Sequence, residues 1–154
     1  MIRVAINGYG RIGRVAHRVI LQKHASEIEV VAINAGSSTD IKGWMYLLKY
    51  DSNYGTLQNH TLNVKSQNLN LKDSIGSLMI DGKEIPVFSQ KDPTLLPWKD
   101  LNVDVVIEST GRFLTEEKLK AHLTAGARKV VLSAPAKDDG HIPTYVLSVN
   151  DKNY

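Results

Sequence analysis

Three glycines near the start of the chain have the spacing of a phosphate-binding turn. Gly8, Gly10 and Gly13 fit the pattern G-x-G-x-x-G. Gly8 permits a tight turn, Gly10 lets the backbone approach a phosphate, and Gly13 lets a helix pack closely on a strand. The free N–H groups of the first helical turn, together with the helix dipole, then face the anion. The spacing therefore predicts a site for a dinucleotide pyrophosphate.

Two predicted elements position this turn. Residues 2–6 are rich in Val and Ile and predict a buried strand that Asn7 ends. The apolar residues of the following helix recur at helical spacing and define its expected buried face: Ile12, Val15, Ala16, Val19 and Ile20. We expect this helix to end near residues 23–24. A turn that merely joins two elements is the alternative explanation, but the order of strand, turn and helix favours the nucleotide site.

A second predicted strand, residues 28–33, precedes the residues that decide cofactor preference. A site that prefers NAD normally has an Asp or Glu here, which accepts hydrogen bonds from the adenosine ribose. The residues that follow this strand are instead uncharged: Asn34, Ala35, Gly36, Ser37, Ser38 and Thr39. The first carboxylate, Asp40, is better placed as the N-cap of the next helix. Without a carboxylate to repel a 2′-phosphate, the sequence predicts binding of NADP, or of both NAD and NADP.

The loop after the second strand has another interpretation. It is a flexible connection, and NAD then binds somewhat more weakly than it would beside a carboxylate. No Arg lies within the loop. Lys42 and Lys91 are therefore the candidate cationic partners of a 2′-phosphate.

The remaining pattern predicts an α/β fold of the Rossmann type, with a doubly wound, mostly parallel sheet and a small antiparallel insertion. Strands are predicted over residues 61–64, 69–71, 78–80, 84–88, 103–108, 129–133 and 144–149, with a hairpin turn at 81–82. Helices are predicted over residues 40–49, with Ile41, Trp44, Met45 and Leu48 in the core, and from the cap Thr115 to Gly126, with Leu119 and Leu123 apolar. Polar residues that follow strands are expected to line one crevice: Asn7, Asn34, Ser109 and Ser133.

Composition limits the classes of function. The 154 residues, of which 42% are hydrophobic, predict one cytoplasmic domain without a signal peptide or membrane span. They contain no cysteine, which excludes disulfides, thiolate metal sites and a Cys nucleophile among them. The five histidines show no metal-ligand spacing, so no metal site is expected. Four arginines near the glycine turn favour a small phosphate-bearing ligand over nucleic acid: Arg3, Arg11, Arg14 and Arg18.

Six motifs, in order along nearly the whole chain, resemble the phosphorylating glyceraldehyde-3-phosphate dehydrogenases. They are INGYGRIGR at 6–14, LLKYDS at 47–52, KDPTLLPW at 91–98, ESTGRF at 108–113, SAPAK at 133–137 and VNDKNY at 149–154. Erythrose-4-phosphate dehydrogenase is a close relative that shares most of them. The resemblance implies a glycolytic oxidoreductase that uses NAD or NADP to convert an aldehyde sugar phosphate to an acyl phosphate.

The resemblance also implies roles for individual residues. Arg11 and Ile12 would offer backbone N–H groups to the pyrophosphate, and Ala35 stands where the family usually has its ribose-binding Asp. Lys91 matches a basic residue near the adenine. The remaining assignments are Ser109, Thr110 and Gly111 on the adenosine side, Phe113 beside the base, and Ser133 toward the nicotinamide.

The family's nucleophilic Cys normally follows shortly after the segment that matches VNDKNY. We therefore expect residues 1–154 to be an NAD(P)-binding domain without the catalytic Cys and His half, and to contain no catalytic residue. Only positioning of the cofactor is expected of these residues alone. The family forms tetramers, so a homo-oligomer is expected. Because a C-terminal helix of the family packs on this domain, we also expect self-association or reduced stability.

Two other functions remain open. The chain can be a stand-alone nucleotide-binding or interaction module that acts with a separate catalytic chain. Alternatively, a basic domain of this fold can bind nucleic acid, in which case RNA affinity should persist when the dinucleotide site is saturated.

Overall fold

The computed structural model describes residues 1–65, 71, 73–139 and 141–154. Within these ranges the strands are β1 (Ile2–Asn7), β2 (Ile28–Asn34), β3 (Tyr50–Asp51), β4 (Gly55–Thr56), β5 (Leu62–Lys65), β6 (Ser74–Ile80), β7 (Lys83–Phe88), β8 (Val105–Glu108) and β9 (Lys129–Leu132). The α-helices are α1 (Arg11–Val19), α2 (Ile41–Lys49) and α3 (Glu116–Thr124). A π-helical segment, Ile20–His24, extends α1, and 3-10 turns lie at Pro93–Leu95 and Asp151–Asn153.

Seven of these strands form one sheet in the order β5-β6-β7-β2-β1-β8-β9. The strands from β7 to β9 in this order pair in parallel. Strands β5 and β6 pair antiparallel, with each other and with β7, and form the insertion. The chain adds strands on one side of β1 and then returns to add β8 and β9 on the other. The predicted α/β fold is therefore confirmed, and the strand order reverses beside β1, where ligands of such sheets bind.

Alternate residues of β1 face two separate cores. Val4 and Ile6 pack in a cluster with Leu48 of α2, whereas Ala5 lies in a second cluster with Trp98. The second cluster also contains Ala125, which follows α3. Apolar contacts therefore cover both faces of the sheet, as a doubly wound arrangement requires.

The predicted buried face of the first helix is only partly correct: Ile20 is buried in the core, but two other members of this face are exposed. Ile12 and Val19 are 58% and 40% exposed. The face that packs inward instead carries polar side chains with partners inside the protein. Nδ1 of His17 lies 2.7 Å from the Tyr9 hydroxyl, Arg14 donates to the Tyr9 carbonyl oxygen over 2.8 Å, and Arg18 donates to the Gly55 carbonyl oxygen over 2.9 Å. Each of these side chains makes at least one such hydrogen bond, which offsets part of the cost of burying a polar group.

The predicted strand at 144–149 is also wrong. These residues are all described and form no strand; instead the Val149 N–H donates to the Val146 carbonyl oxygen in a turn. Leu147 and Val149 are largely exposed, so alternating apolar residues here do not face a core. In α3, Leu119 is buried as predicted, but Leu123 is exposed and His122 is buried. The prediction at 69–71 falls largely outside the described residues.

Several local predictions are confirmed. Asp40 caps α2 by accepting the Gly43 N–H over 2.8 Å, and Thr115 caps α3 by accepting the Lys118 N–H. Asp81 and Gly82 both have positive φ, as a two-residue hairpin between β6 and β7 requires. No helix among the described residues is long and apolar enough to cross a membrane.

Candidate functional site

A cleft of about 310 Å³ opens at the carboxyl ends of β1, β2, β7 and β8. It lies at the place where the strand order reverses, and its volume is within the range of small-molecule sites. The residues that line it come from the loops after these strands and from α2. They are Asn7, Gly8, Tyr9, Gly10, Asn34, Ala35, Gly36, Ser37, Trp44, Gln90, Lys91, Ser109, Thr110, Arg112 and Phe113.

The glycine turn forms one wall of this cleft, and two of its glycines are required by packing. Gly8 has φ +91°, and a Cβ there would lie 2.6 Å from the Thr110 nitrogen. A Cβ on Gly13 would lie 2.3 Å from the Gly8 carbonyl oxygen, so this residue lets α1 pack against the turn. A Cβ on Gly10, by contrast, would meet no atom within 4 Å. The space next to Gly10 is open for a ligand to approach the backbone.

The start of α1 is suited to an anion. Gly10 is the N-cap and provides no side-chain hydrogen bond, and the first turn contains no acidic residue. The N–H groups of this turn therefore have no side-chain cap that a phosphate would have to displace. Among the lining residues that the structure describes, none is an Asp or Glu, whereas Lys91 and Arg112 are cationic. The electrostatic character of the cleft thus favours a negatively charged ligand.

The loop after β2 is held by three hydrogen bonds, two with the end of β7 and one with α2. The Ala35 N–H donates to the Phe88 carbonyl oxygen over 2.8 Å. The Ser89 hydroxyl donates to the Gly36 carbonyl oxygen over 3.2 Å, and the Trp44 indole N–H donates to the Ser38 hydroxyl over 3.1 Å. These contacts aim Ala35, Gly36 and Ser37 at the cleft. Lys91 lies at the cleft as well, whereas Lys42 does not.

Side chains that pack on one another support the glycine turn. Trp44 packs edge-to-face on Tyr9 with ring centroids 5.9 Å apart, and the Arg14 guanidinium lies 5.7 Å from the centre of the Trp44 ring. Tyr9 is buried, and this burial raises the pKa of its hydroxyl above the usual value. The phenol therefore stays protonated and can act as a hydrogen-bond donor to His17.

The floor of the cleft consists of buried polar side chains that bond to one another. Asn7 donates through Nδ2 to Glu108, and Asn34 donates through Nδ2 to the Asn7 Oδ1 over 2.7 Å. Asn34 also joins Gln90, donating to its carbonyl oxygen over 2.8 Å and accepting its N–H over 3.0 Å. These bonds connect the ends of β8, β1 and β2 with the loop after β7. The two asparagines thus hold the cleft walls together.

Comparison with known proteins identifies the family of this chain. The family model described as "Glyceraldehyde 3-phosphate dehydrogenase, NAD binding domain" matches residues 2–116. The chain belongs to this family. It is 48% identical over 151 residues to glyceraldehyde-3-phosphate dehydrogenase of Thermotoga maritima, covering 98% of this chain and 41% of that protein. It is 43% identical over 154 residues to the cytosolic glyceraldehyde-3-phosphate dehydrogenase of Trypanosoma brucei brucei, covering 100% of this chain and 42% of that protein.

The chain matches only part of the length of these relatives. The chain spans about two fifths of the length of the curated relatives that it matches. The matched family model describes an NAD-binding domain, which agrees with the cleft geometry. The cleft is therefore the dinucleotide site of an NAD-binding domain of this family.

Most of the residues predicted for the site meet at the cleft. Those that line it are Asn7, Gly8, Gly10, Asn34, Ala35, Gly36, Ser37, Lys91, Ser109, Thr110 and Phe113. Arg11, Ile12 and Gly111 are not in the lining, although Arg11 and Ile12 form the first turn of α1 next to Gly10. Ser133 lines a different cavity of about 570 Å³ next to β9, together with Tyr145 and Tyr154.

Sequence reasoning missed four lining residues: Tyr9, Trp44, Gln90 and Arg112. Trp44 was expected in the core because of its helical spacing, but it is only partly buried and faces the cleft. Helical periodicity predicts which side of a helix faces inward, but it does not show which residue on that side lines the cleft. The arginines near the turn predicted a phosphate-bearing ligand, but Arg3, Arg14 and Arg18 are not in the cleft lining and bind carbonyl oxygens of the protein. In the part of the chain that the structure describes, no group of side chains is arranged to hold a metal ion.

Proposed function

We propose that the cleft binds the dinucleotide with its pyrophosphate at the start of α1 and its adenosine toward the loop after β2. The observation that carries this proposal is the open space next to Gly10, at a helix start without a side-chain cap, in a cleft whose described lining residues include no Asp or Glu. Backbone N–H groups of Arg11 and Ile12 would donate to the phosphates. Lys91 and Phe113 would flank the adenine, with Ser109, Thr110 and Gly111 on the adenosine side.

We further propose that NADP is accepted, either in preference to NAD or equally well. Ala35 supplies no carboxylate to hydrogen-bond the ribose hydroxyls or to repel a 2′-phosphate. Ser37 and Lys91 line the same cleft, and they contribute a hydroxyl-bearing and a cationic side chain. These groups support recognition of the extra phosphate.

The proposed reaction of the complete protein is the oxidative phosphorylation of an aldehyde sugar phosphate to an acyl phosphate, within glycolysis and in the cytoplasm. Bound NAD or NADP supplies the acceptor for a hydride. The present residues would bind and orient that cofactor. A thiolate nucleophile and its base would have to come from protein outside these 154 residues, which contain no cysteine. Glyceraldehyde-3-phosphate and erythrose-4-phosphate are both compatible substrates.

The exposed apolar surface beside β9 indicates that a partner covers it. Val131, Leu147, Val149 and Tyr154 are each at least half exposed and lie on β9 or in the segment after it. We propose that the remainder of the protein, or a second copy of the chain, covers this surface in a homo-oligomer. Size-exclusion chromatography with light scattering tests self-association: a monomer at all concentrations, with a sharp melt, would contradict it.

Isothermal titration of the chain with NAD and with NADP tests the cofactor proposals. We expect both to bind, with NADP at least as tight as NAD. A tenfold preference for NAD, about 1.4 kcal/mol, would overturn the interpretation of Ala35. Absence of binding by either dinucleotide would overturn the site itself.

Fluorescence locates the bound dinucleotide. Trp44 lines the cleft, whereas Trp98 is fully buried elsewhere. Binding should therefore quench the wild-type emission. In Trp44→Phe most of this quenching should disappear, while calorimetry should still detect binding. Equal quenching in both proteins would contradict placement in this cleft.

A further inference from the structure

A buried histidine bonds to the floor of the cleft and is itself bonded by a buried tryptophan, and neither residue is in the cleft lining. Trp98 and His122 are fully buried in the half of the core that contains α3. The indole Nε1–H of Trp98 donates to Nδ1 of His122 over 3.1 Å, and Nε2 of His122 lies 3.0 Å from Oε2 of Glu108. We propose that Trp98 and His122 are positioning residues for dinucleotide binding, acting through Glu108. This inference rests on the proposed function of the cleft.

The direction of these hydrogen bonds determines the tautomer of His122. An indole N–H can only donate, so Nδ1 of His122 must be the acceptor and carries no hydrogen. The ring is then neutral, and its hydrogen is on Nε2, which donates to the Glu108 carboxylate. Nδ2 of Asn7, 3.4 Å from the same Nε2, is also a donor and cannot bond to it. The Asn7 side-chain amide therefore donates to the Glu108 carboxylate instead.

Glu108 links the Trp98–His122 pair to the residues of the cleft. Its carboxylate is fully buried and accepts from His122, from Asn7, and from both the backbone N–H and the hydroxyl of Thr110. Asn7 precedes the glycine turn, and Thr110 lies in the loop that contacts Gly8. The same carboxylate therefore connects the residue before the glycine turn with the loop after β8.

Loss of the His122 donor should affect the cleft because the remaining donors to Glu108 belong to cleft residues. A buried carboxylate that loses one hydrogen bond retains its desolvation penalty, and its remaining donors rearrange to compensate. Those donors are Asn7 and Thr110, which line the cleft. Asn7 is bonded in turn to Asn34 and thus to Gln90. A change at Trp98 or His122 should therefore alter the cleft walls without touching the ligand.

Two substitutions of His122 separate positioning from stability. In His122→Leu both hydrogen bonds of the ring are lost. In His122→Gln the side-chain amide reaches far enough to donate to Glu108. We expect the Kd of the more tightly bound dinucleotide to rise about tenfold in His122→Leu and to stay within about threefold of wild type in His122→Gln. Calorimetric titration is done at a temperature where circular dichroism shows each variant folded.

Trp98→Phe tests the tautomer directly. It keeps an aromatic ring but removes the N–H that bonds to Nδ1. Nitrogen-15 correlation spectra of the imidazole should show only Nε2 protonated in wild type and a mixture of tautomers in the variant, with weaker dinucleotide binding. Leu96→Ala is the matched control, since Leu96 is buried in the same cluster and has no polar side-chain atom. It should lower Tm and leave the Kd unchanged.

Failure of this inference differs from failure of the proposed function. If wild type binds neither dinucleotide, both are overturned. If wild type binds and His122→Leu binds equally tightly, only the positioning role is overturned. If His122→Leu does not fold, the decision rests on Trp98→Phe: an unchanged tautomer with an unchanged Kd overturns the role. The role is also overturned if Leu96→Ala weakens binding as much as Trp98→Phe does.

Discussion

The hydroxyl of Tyr9 and Nδ1 of His17 lie 2.7 Å apart beneath the glycine turn, and both side chains are buried. Burial, with a smaller contribution from His60, lowers the pKa of His17 to about 3. The imidazole therefore stays neutral in the folded protein across the physiological range. The contact joins the residue after Gly8 to the last turn of α1, so the turn and its helix form one unit.

This buried histidine should make the protein less stable in mild acid. Unfolding returns the pKa of His17 to its ordinary value, so below about pH 6.5 the unfolded chain binds a proton that the folded protein excludes. Stability should thus be fully present above pH 6.5 and fall as the pH decreases toward 3, with a loss of about 2 kcal/mol at pH 5. Urea unfolding at several pH values measures it. His17→Gln should reduce this slope, and an unchanged slope in the variant would contradict the assignment.

Two alanine substitutions in the glycine turn should have opposite consequences. Gly10→Ala adds a methyl group to open space at φ −72°, so Tm should stay within a few degrees while the dinucleotide Kd rises about tenfold. Gly13→Ala forces a Cβ against the Gly8 carbonyl oxygen and should cost about 1–3 kcal/mol of folding free energy. Thermal melts and calorimetric titration measure both. Unimpaired binding by Gly10→Ala would count against a phosphate at this position.

Cofactor preference should respond to one side chain at the cleft. Ala35→Asp adds a carboxylate beside the proposed ribose position, so it should weaken NADP binding by about tenfold, or 1.4 kcal/mol, and leave NAD binding equal or tighter. Ala35→Asn is the control, because it has the same shape without the charge. Equal weakening of NADP in both variants would show that size rather than charge matters. The ratio of the two Kd values in each variant is the measurement.

The N-cap of α2 offers a test of local stability close to the site. Asp40→Ala removes the acceptor of the Gly43 N–H and should destabilise the protein by about 1 kcal/mol. For a chain of this size, Tm should fall by about 2–4 °C. Lys42→Ala, an exposed change in the same turn, should shift stability by less than about 0.5 kcal/mol. Equal shifts in the two variants would argue against the cap.

What the sequence determined by itself was the local backbone chemistry and the order of the elements. The glycine pattern, the caps Asp40 and Thr115 and the turn at Asp81 and Gly82 involve residues within a few positions of one another, so their geometry follows from residue type. The alternation of strands and helices likewise limited the topology to a doubly wound sheet. Most of the cleft followed, because strand ends of a parallel sheet meet at one edge.

Tertiary structure alone decided which residues face one another across the sheet. Asn7 and Glu108 are 101 positions apart in sequence, and the bond between them depends on β1 pairing with β8. The polar inner face of α1 depended on acceptors elsewhere in the chain, such as the Gly55 carbonyl oxygen that receives Arg18. A hydrophobicity pattern reflects the cost of burying a polar group, but it does not reveal the hydrogen-bond partner that offsets this cost. The same limit explains why the sequence does not identify His122 as a support of the site.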